Sequence, residues 1–250
     1  MIRTSNPILN DRIFAETRSY SPAEIMTLEG TVNKTAICLA LTIASAYYSY
    51  SHPGLAVLSL PAAILAFIIA IVITFKRTWA TFLTPIYAIV KGVFVGAFSL
   101  FANNYVMQIN PASSGVVFQA IVLTFGTLFA LLMAYKSGYI KVTENFKLGI
   151  VAATGGIALF YLVSMIASLF VANLSFMYSS SPLSIGISVV VVIIAALNLV
   201  LDFDFIESAV ASKNTPKYME WFAAFGLLVT LIWLYLEILR LLMKLATSRE

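Results

Sequence analysis

The chain has 250 residues, of which 61% are hydrophobic and only 10% carry charge. A soluble domain carries roughly 25% charged residues, so this composition excludes an ordinary soluble core and points to a polytopic membrane protein. One cysteine, Cys38, and one histidine, His52, exclude a disulfide framework, a zinc cluster and a multi-histidine metal site.

Residues 1–33 are polar and mixed in charge, with no apolar run before residue 35, so they read as a cytoplasmic N-terminal segment rather than a cleavable signal. An amphipathic turn is expected around Ile8 to Phe14. A spanning helix needs about 20 mostly apolar residues. Seven stretches qualify, at roughly 34–52, 54–75, 80–102, 115–135, 149–171, 183–205 and 219–245. Long continuous apolar runs exclude a β-barrel, and open strands would leave unpaired backbone groups in lipid. The expected architecture is all-α: a bundle of seven transmembrane helices over 34–245, the seventh central, followed by a short tail at 246–250. In the third span Gly92 and Gly96 form a GxxxG, and Gly155–Gly156 lie in the fifth; both mark expected close helix contacts.

Orientation follows from the loops. Lys76 and Arg77 follow the second span, Lys136, Lys141 and Lys147 the fourth, and Lys213 and Lys217 the sixth, while the loops after the first, third and fifth spans carry no Lys or Arg. With Arg3, Arg12, Arg18 and Lys34 near the start, the N-terminus and the even-numbered loops are expected in the cytoplasm. Arg240, Lys244 and Arg249 near the other end disagree, because seven spans place the C-terminus outside. The seventh segment is either re-entrant or a full span sheltered by protein; the larger number of loop charges favours the full span. Net charge of +4 is accounted for by these loops, and nothing points to nucleic acid.

Ionisable groups inside a span are expensive and default to function. Lys91 sits mid-way along the third span, too deep for easy snorkelling, so it is expected to meet an acid inside the bundle. A retinal-type Schiff base is disfavoured, since the seventh span holds no central lysine. Glu237 has Arg240 three residues on, so the two either neutralise each other or leave Glu237 free as a pathway carboxylate or a partner for Lys91. At "LNLVLDFDFIESAV" (197–210) three acids gather at the expected end of the sixth span, the unfavourable end of the helix dipole. Helical phase splits them. Asn198 shares a face with Asp202, whereas Asp204 is turned about 200° away and Glu207 about 140°. Either Asp202 is a sensor inside the bundle or all three acids are a solvated helix end, a reading that suits Glu207 best. Lys76 and Arg77 lie at a similar depth and are candidate partners for Asp202.

These features together resemble the Bax inhibitor-1 family, most closely its bacterial branch. The resemblance is carried by "MTLEGTVNKT" (26–35), "TPIYAIVKGVFVGAFS" (84–99), "VVFQAIVLTFGT" (116–127), "LNLVLDFDFIE" (197–207) and "YMEWFAAFGLLVTLIWLYLEILRLL" (218–242). It implies a pH-sensitive calcium leak in the bacterial inner membrane. Two acids, on the sixth and seventh spans, would share a proton and close the cytoplasmic mouth, with a basic latch from the end of the second span. By position the acids are Asp202 and Glu237, which would also meet the calcium ion, and the latch is Lys76 or Arg77. Lys91, Asn198, Asp204 and Arg240 are supporting or pathway residues. The seventh-span acid is Glu rather than Asp, and the resemblance implies an acid where Lys91 stands. A fixed positive charge there would oppose a divalent cation and could lock Glu237. Asp202 and Glu237 lie 35 positions apart, so they meet only if the sixth and seventh helices run on past the membrane.

The physical logic holds without the resemblance. Two nearby carboxylates resist joint ionisation and titrate as a unit, and carboxylates suit calcium as hard ligands. No tightly bound cofactor is expected; calcium enters only as cargo. The rival is a non-conducting regulator that binds a membrane protease or a stress or cell-death partner through "SNPILNDRIF" (5–14). An intramembrane enzyme is disfavoured, because no nucleophile–base pairing is recognisable.

Overall fold

The computed structural model describes residues 25–113, 115–170 and 180–248. The N-terminal stretch assigned to partner contacts therefore lies outside the described residues. Seven long helices make up the described chain: α1 (Leu28–Ser51), α2 (Ser59–Phe75), α3 (Ala80–Ile109), α4 (Val116–Lys136), α5 (Glu144–Phe170), α6 (Pro182–Ala211) and α7 (Met219–Thr247). Short 3₁₀ turns at Pro53–Leu58, Arg77–Trp79 and Pro111–Ser113 join the early ones. No strand occurs among the described residues beyond an isolated bridge between Ile25 and Pro216.

Six of the helices, α2 to α7 with their flanking turns, are long and apolar enough to cross a membrane. The first is long enough but less apolar than the other six. The reason is local: α1 carries Glu29, Asn33 and Lys34 in its first two turns, and Ser45, Tyr47, Tyr48, Ser49 and Tyr50 in its last. It is held in place by packing instead. Gly92 and Gly96 of α3 let the α1 backbone approach so closely that a Cβ would stand 2.0 Å from Ser45 Oγ and 2.1 Å from the Ala46 carbonyl oxygen. Thr42 and Ser49 of α1 donate to the carbonyls of Ala88 and Val93 at 3.1 and 3.0 Å, satisfying polar groups that lipid could not. The fifth-span glycines behave differently. A Cβ at Gly155 or Gly156 meets nothing within 4 Å, so that pair does not mark a tight crossing among the described residues.

The seventh helix is the axis of the bundle, as expected. Its most apolar stretch is 78% buried, against 11% for α5. Phe222, Phe225, Leu228, Leu234 and Leu239 are fully enclosed, and Tyr87 of α3 meets Phe225 edge to face at 4.8 Å. Several helices exceed their expected spans. α6 runs through Ala211 and has 30 residues, about 45 Å of helix against a hydrocarbon core of about 30 Å. The acids of the "DFDFIE" stretch thus lie inside the last turns of a continuing helix. They do not sit on its end, and the conflict with the helix dipole disappears.

Candidate functional site

Three charged clusters line the bundle, and α7 contributes to two of them. At its start, Glu220 is 0% exposed. Its Oε1 accepts from the Thr27 backbone N–H at 2.9 Å and from the Thr27 hydroxyl at 3.0 Å, and its Oε2 pairs with Lys34. Lys34 also lies over the Trp221 ring, 5.5 Å from its centroid. Thr27 is at the same time the N-cap of α1, accepting from the Gly30 N–H at 3.0 Å. Gly30 leaves room for the carboxylate, since a Cβ there would stand 2.3 Å from Glu220 Oε1. The neighbouring Met26 N–H donates to the Thr215 carbonyl at 2.7 Å, tying the entry of α1 to the turn between α6 and α7. Sequence reasoning missed this cluster. Glu220 looked like an ordinary first-turn acid, and Lys34 like one more cytoplasmic charge; the available signal was the glycine in "MTLEGTVNK", placed just inside a helix where it costs propensity.

Near the other end of α7, Glu237 is 2% exposed. Arg240 Nη1 lies 2.9 Å from both carboxylate oxygens. The Tyr161 hydroxyl of α5 donates to the same oxygens at 3.0 Å and accepts from Arg240 at 2.7 Å. Trp233 Nε1 adds a bond to Oε1 at 3.3 Å. One turn beyond Arg240, Lys244 is 7% exposed and turned inward onto α6, where it donates to the hydroxyls of Ser184 and Ser188 at 2.8 Å and to the Ser184 carbonyl at 3.3 Å. The alternative in which Glu237 and Arg240 neutralise each other is the geometry found. Tyr161 carried no sequence signal, being one aromatic residue in an apolar helix.

The third cluster closes the gap between α5 and α6. Lys147 reaches Asp204 Oδ2 at 2.9 Å and Glu144 Oε1 at 3.6 Å, and Glu207 accepts from the Tyr135 hydroxyl at 2.5 Å. Helical phase was right about these acids: Asp204 faces Lys147, Glu207 is exposed, and Asp202 is 0% exposed on a third face. Asn198, on the Asp202 face, donates to Thr154 Oγ1 at 2.9 Å and to the Ile194 carbonyl at 2.8 Å.

The two acids expected to act as one are not brought together. Asp202 lies nine residues before the end of α6 and Glu237 eighteen after the start of α7, or about 14 Å and about 27 Å from the α6–α7 turn at 1.5 Å per residue. Extending the helices past the membrane core does not close that difference, because both run from the same turn. The carboxylates therefore share neither a proton nor a calcium coordination shell, which needs six or more oxygens around one point. No cluster of three or more His, Cys, Asp or Glu suited to a metal occurs among the described residues.

Lys91 is also placed otherwise than expected. It makes no ion pair among the described residues; its ammonium lies 4.9 Å from the Phe94 ring centroid, so the charge is eased by a ring face one turn along α3. Of the two latch candidates, Lys76 is exposed, with its ammonium 4.5 Å from the Trp79 ring centroid, while Arg77 is half-buried. A larger cavity, of about 400 Å³, opens between α1, α3, α4 and α7. Its walls carry no Asp, Glu, Lys or Arg, and the Ser99 and Tyr235 hydroxyls bond across it at 2.7 Å.

Comparison with curated proteins gives no match. The family description "Bax inhibitor 1 like" matches residues 6–247, nearly the whole chain, including α1 and both charged ends of α7. The chain is a multi-pass membrane protein that belongs to the Bax inhibitor 1 like family.

Proposed function

We propose that this protein is a pH-sensitive cation leak of the Bax inhibitor-1 type, with calcium as cargo, set in the bacterial inner membrane with its N-terminus in the cytoplasm. The observation that carries the reading is the charge on the most buried helix. Glu220, Glu237 and Lys244 are all nine-tenths or more enclosed on α7, and Asp202 is enclosed beside it on α6. Buried charge in a membrane bundle is costly, and its usual return is a path or a sensor for ions.

In this reading the acids act at separate levels. Asp202 is the sensor near the α6–α7 turn, and the half-buried Arg77, in the 3₁₀ turn after α2, is its latch in preference to the exposed Lys76. Protonating Asp202 removes the charge the latch holds, which gives two packings with different stability. Glu237, held by Arg240 and Tyr161, is the second station, deeper along α7. The test is calcium flux into proteoliposomes across a pH series. Wild-type flux is expected to change with pH, and Asp202→Asn is expected to flatten that dependence more than Glu237→Gln. Flux that ignores pH, or a pH profile unmoved by both substitutions, would discard the sensor. Absence of flux with stable co-purification of a protease would favour the non-conducting regulator.

A further inference from the structure

The Glu237 cluster does not balance. Glu237 brings one negative charge, and Arg240 and Lys244 bring two positive ones. Glu237 is already occupied by Arg240 and Tyr161, and Lys244 has no carboxylate partner among the described residues. Of the stretches outside the described residues that adjoin this site, 171–179, before α6, contains no acid, and 249–250, beyond α7, pairs Arg249 with Glu250 in sequence. Snorkelling does not account for Lys244, because its ammonium points inward to Ser184 and Ser188 instead of along the surface. A second imbalance sits at the same place. Ser184 and Ser188 each spend an oxygen lone pair on Lys244, but among the described residues neither hydroxyl proton has an acceptor. Elsewhere in this bundle buried helix hydroxyls find a carbonyl, either four residues earlier, as Ser99 does at Val95 and Thr124 at Ala120, or on a neighbouring helix, as Thr42 does at Ala88. Ser184 and Ser188 do not.

Among the described residues, what is missing is an acceptor with negative charge and no protons of its own, placed against two hydroxyls and two cations. A cavity lies there. It is bounded by Tyr161, Ser184, Ile187, Ser188, Arg240 and Lys244, and its volume is about 20 Å³. A single water needs roughly 10–15 Å³, so there is room for one particle slightly larger than water. The first turn of α6, capped by Ser181 and opened by Pro182, adds the positive end of a helix dipole. We propose that this cavity between α5, α6 and α7 binds a single halide-sized anion, chloride in the cell, held by the Ser184 and Ser188 hydroxyls and neutralising the excess charge of Arg240 and Lys244.

This site goes beyond the leak, and its test reads binding without reference to calcium flux. The full-length protein, purified in detergent without added anionic lipid, is heated in chloride, bromide or gluconate at constant ionic strength. The expected result is a melting midpoint that rises with chloride and with bromide, following the one-site dependence on ligand concentration, and stays flat in gluconate. Ser184→Ala combined with Ser188→Ala is expected to weaken the apparent chloride affinity at least tenfold. Lys244→Met is expected to abolish the chloride response and to leave the midpoint in gluconate at or above that of the wild type, because the charge that needs an anion is gone. Should Lys244→Met fail to fold, the serine pair decides. A midpoint that follows ionic strength whatever the anion, as a cavity holding only water would give, overturns the proposal. A chloride response that survives the double serine substitution overturns it as well.

Discussion

The two ends of α7 each bury a glutamate, and they solve the problem differently. At the start, Glu220 is matched one to one by Lys34 and takes two further bonds from Thr27, with Gly30 pressed against it. Near the end, Glu237 is outnumbered by Arg240 and Lys244, and two serine hydroxyls and a small cavity complete the surroundings. Burial is the same at both, so burial does not tell a clamp from a site. Charge balance does. A closed, neutral cluster can fix α1 to the bundle axis; an unbalanced one with space beside it can take up a proton or an ion.

The sharpest way to break this contrast is to remove the charge of the closed cluster. Glu220→Gln keeps the shape but strands Lys34 with no carboxylate. Removing one partner of a buried pair costs about 3–5 kcal/mol. The expected outcome is a loss of that size, measured by reversible unfolding in mixed detergent, with part of it recovered by adding Lys34→Met, which removes the orphaned charge. If Glu220→Gln were nearly neutral, the clamp would not be what holds α1. Gly30→Ala probes the same contact from the α1 side. The new methyl would stand 2.3 Å from the carboxylate oxygen, so the side chain or α1 has to shift. An overpacked position costs about 1–3 kcal/mol, and the same unfolding assay is expected to place this variant between Glu220→Gln and wild type.

How legible each end was follows from what a linear pattern can carry. Apolar runs gave the bundle, because hydropathy and helical length are local properties. Helical phase separated Asp202, Asp204 and Glu207 for the same reason, and the i, i+3 spacing of Glu237 and Arg240 anticipated their pairing. Contacts between helices far apart in sequence were out of reach. Nothing in the spacing of Lys34 and Glu220, or of Tyr161 and Glu237, encodes their meeting. Pairing Asp202 with Glu237 failed on geometry that the numbering did contain: both helices are measured from one turn, and the unequal distances from it keep the acids at different depths. The first helix is the least apolar of the seven because hydroxyl groups interrupt it, and two of them, Thr42 and Ser49, serve contacts with α3.

The smallest expected effect belongs to the open end of α7, and it tests the contrast from the opposite side. The Tyr161 hydroxyl bridges Glu237 and Arg240, yet those two remain within 2.9 Å of each other without it. Tyr161→Phe keeps the ring over Arg240 and takes away only the bridge. A single hydrogen bond to a charged group contributes about 1.5–3 kcal/mol, but here each partner of the hydroxyl keeps the other, so a net loss of about 1 kcal/mol is expected in the unfolding assay. The low cost reflects a cluster whose members have alternatives, which is what a site that changes protonation or occupancy requires. A loss as large as that of Glu220→Gln would mean that the Glu237 cluster is also a clamp, and the difference between the two ends of α7 would then reduce to their net charge alone.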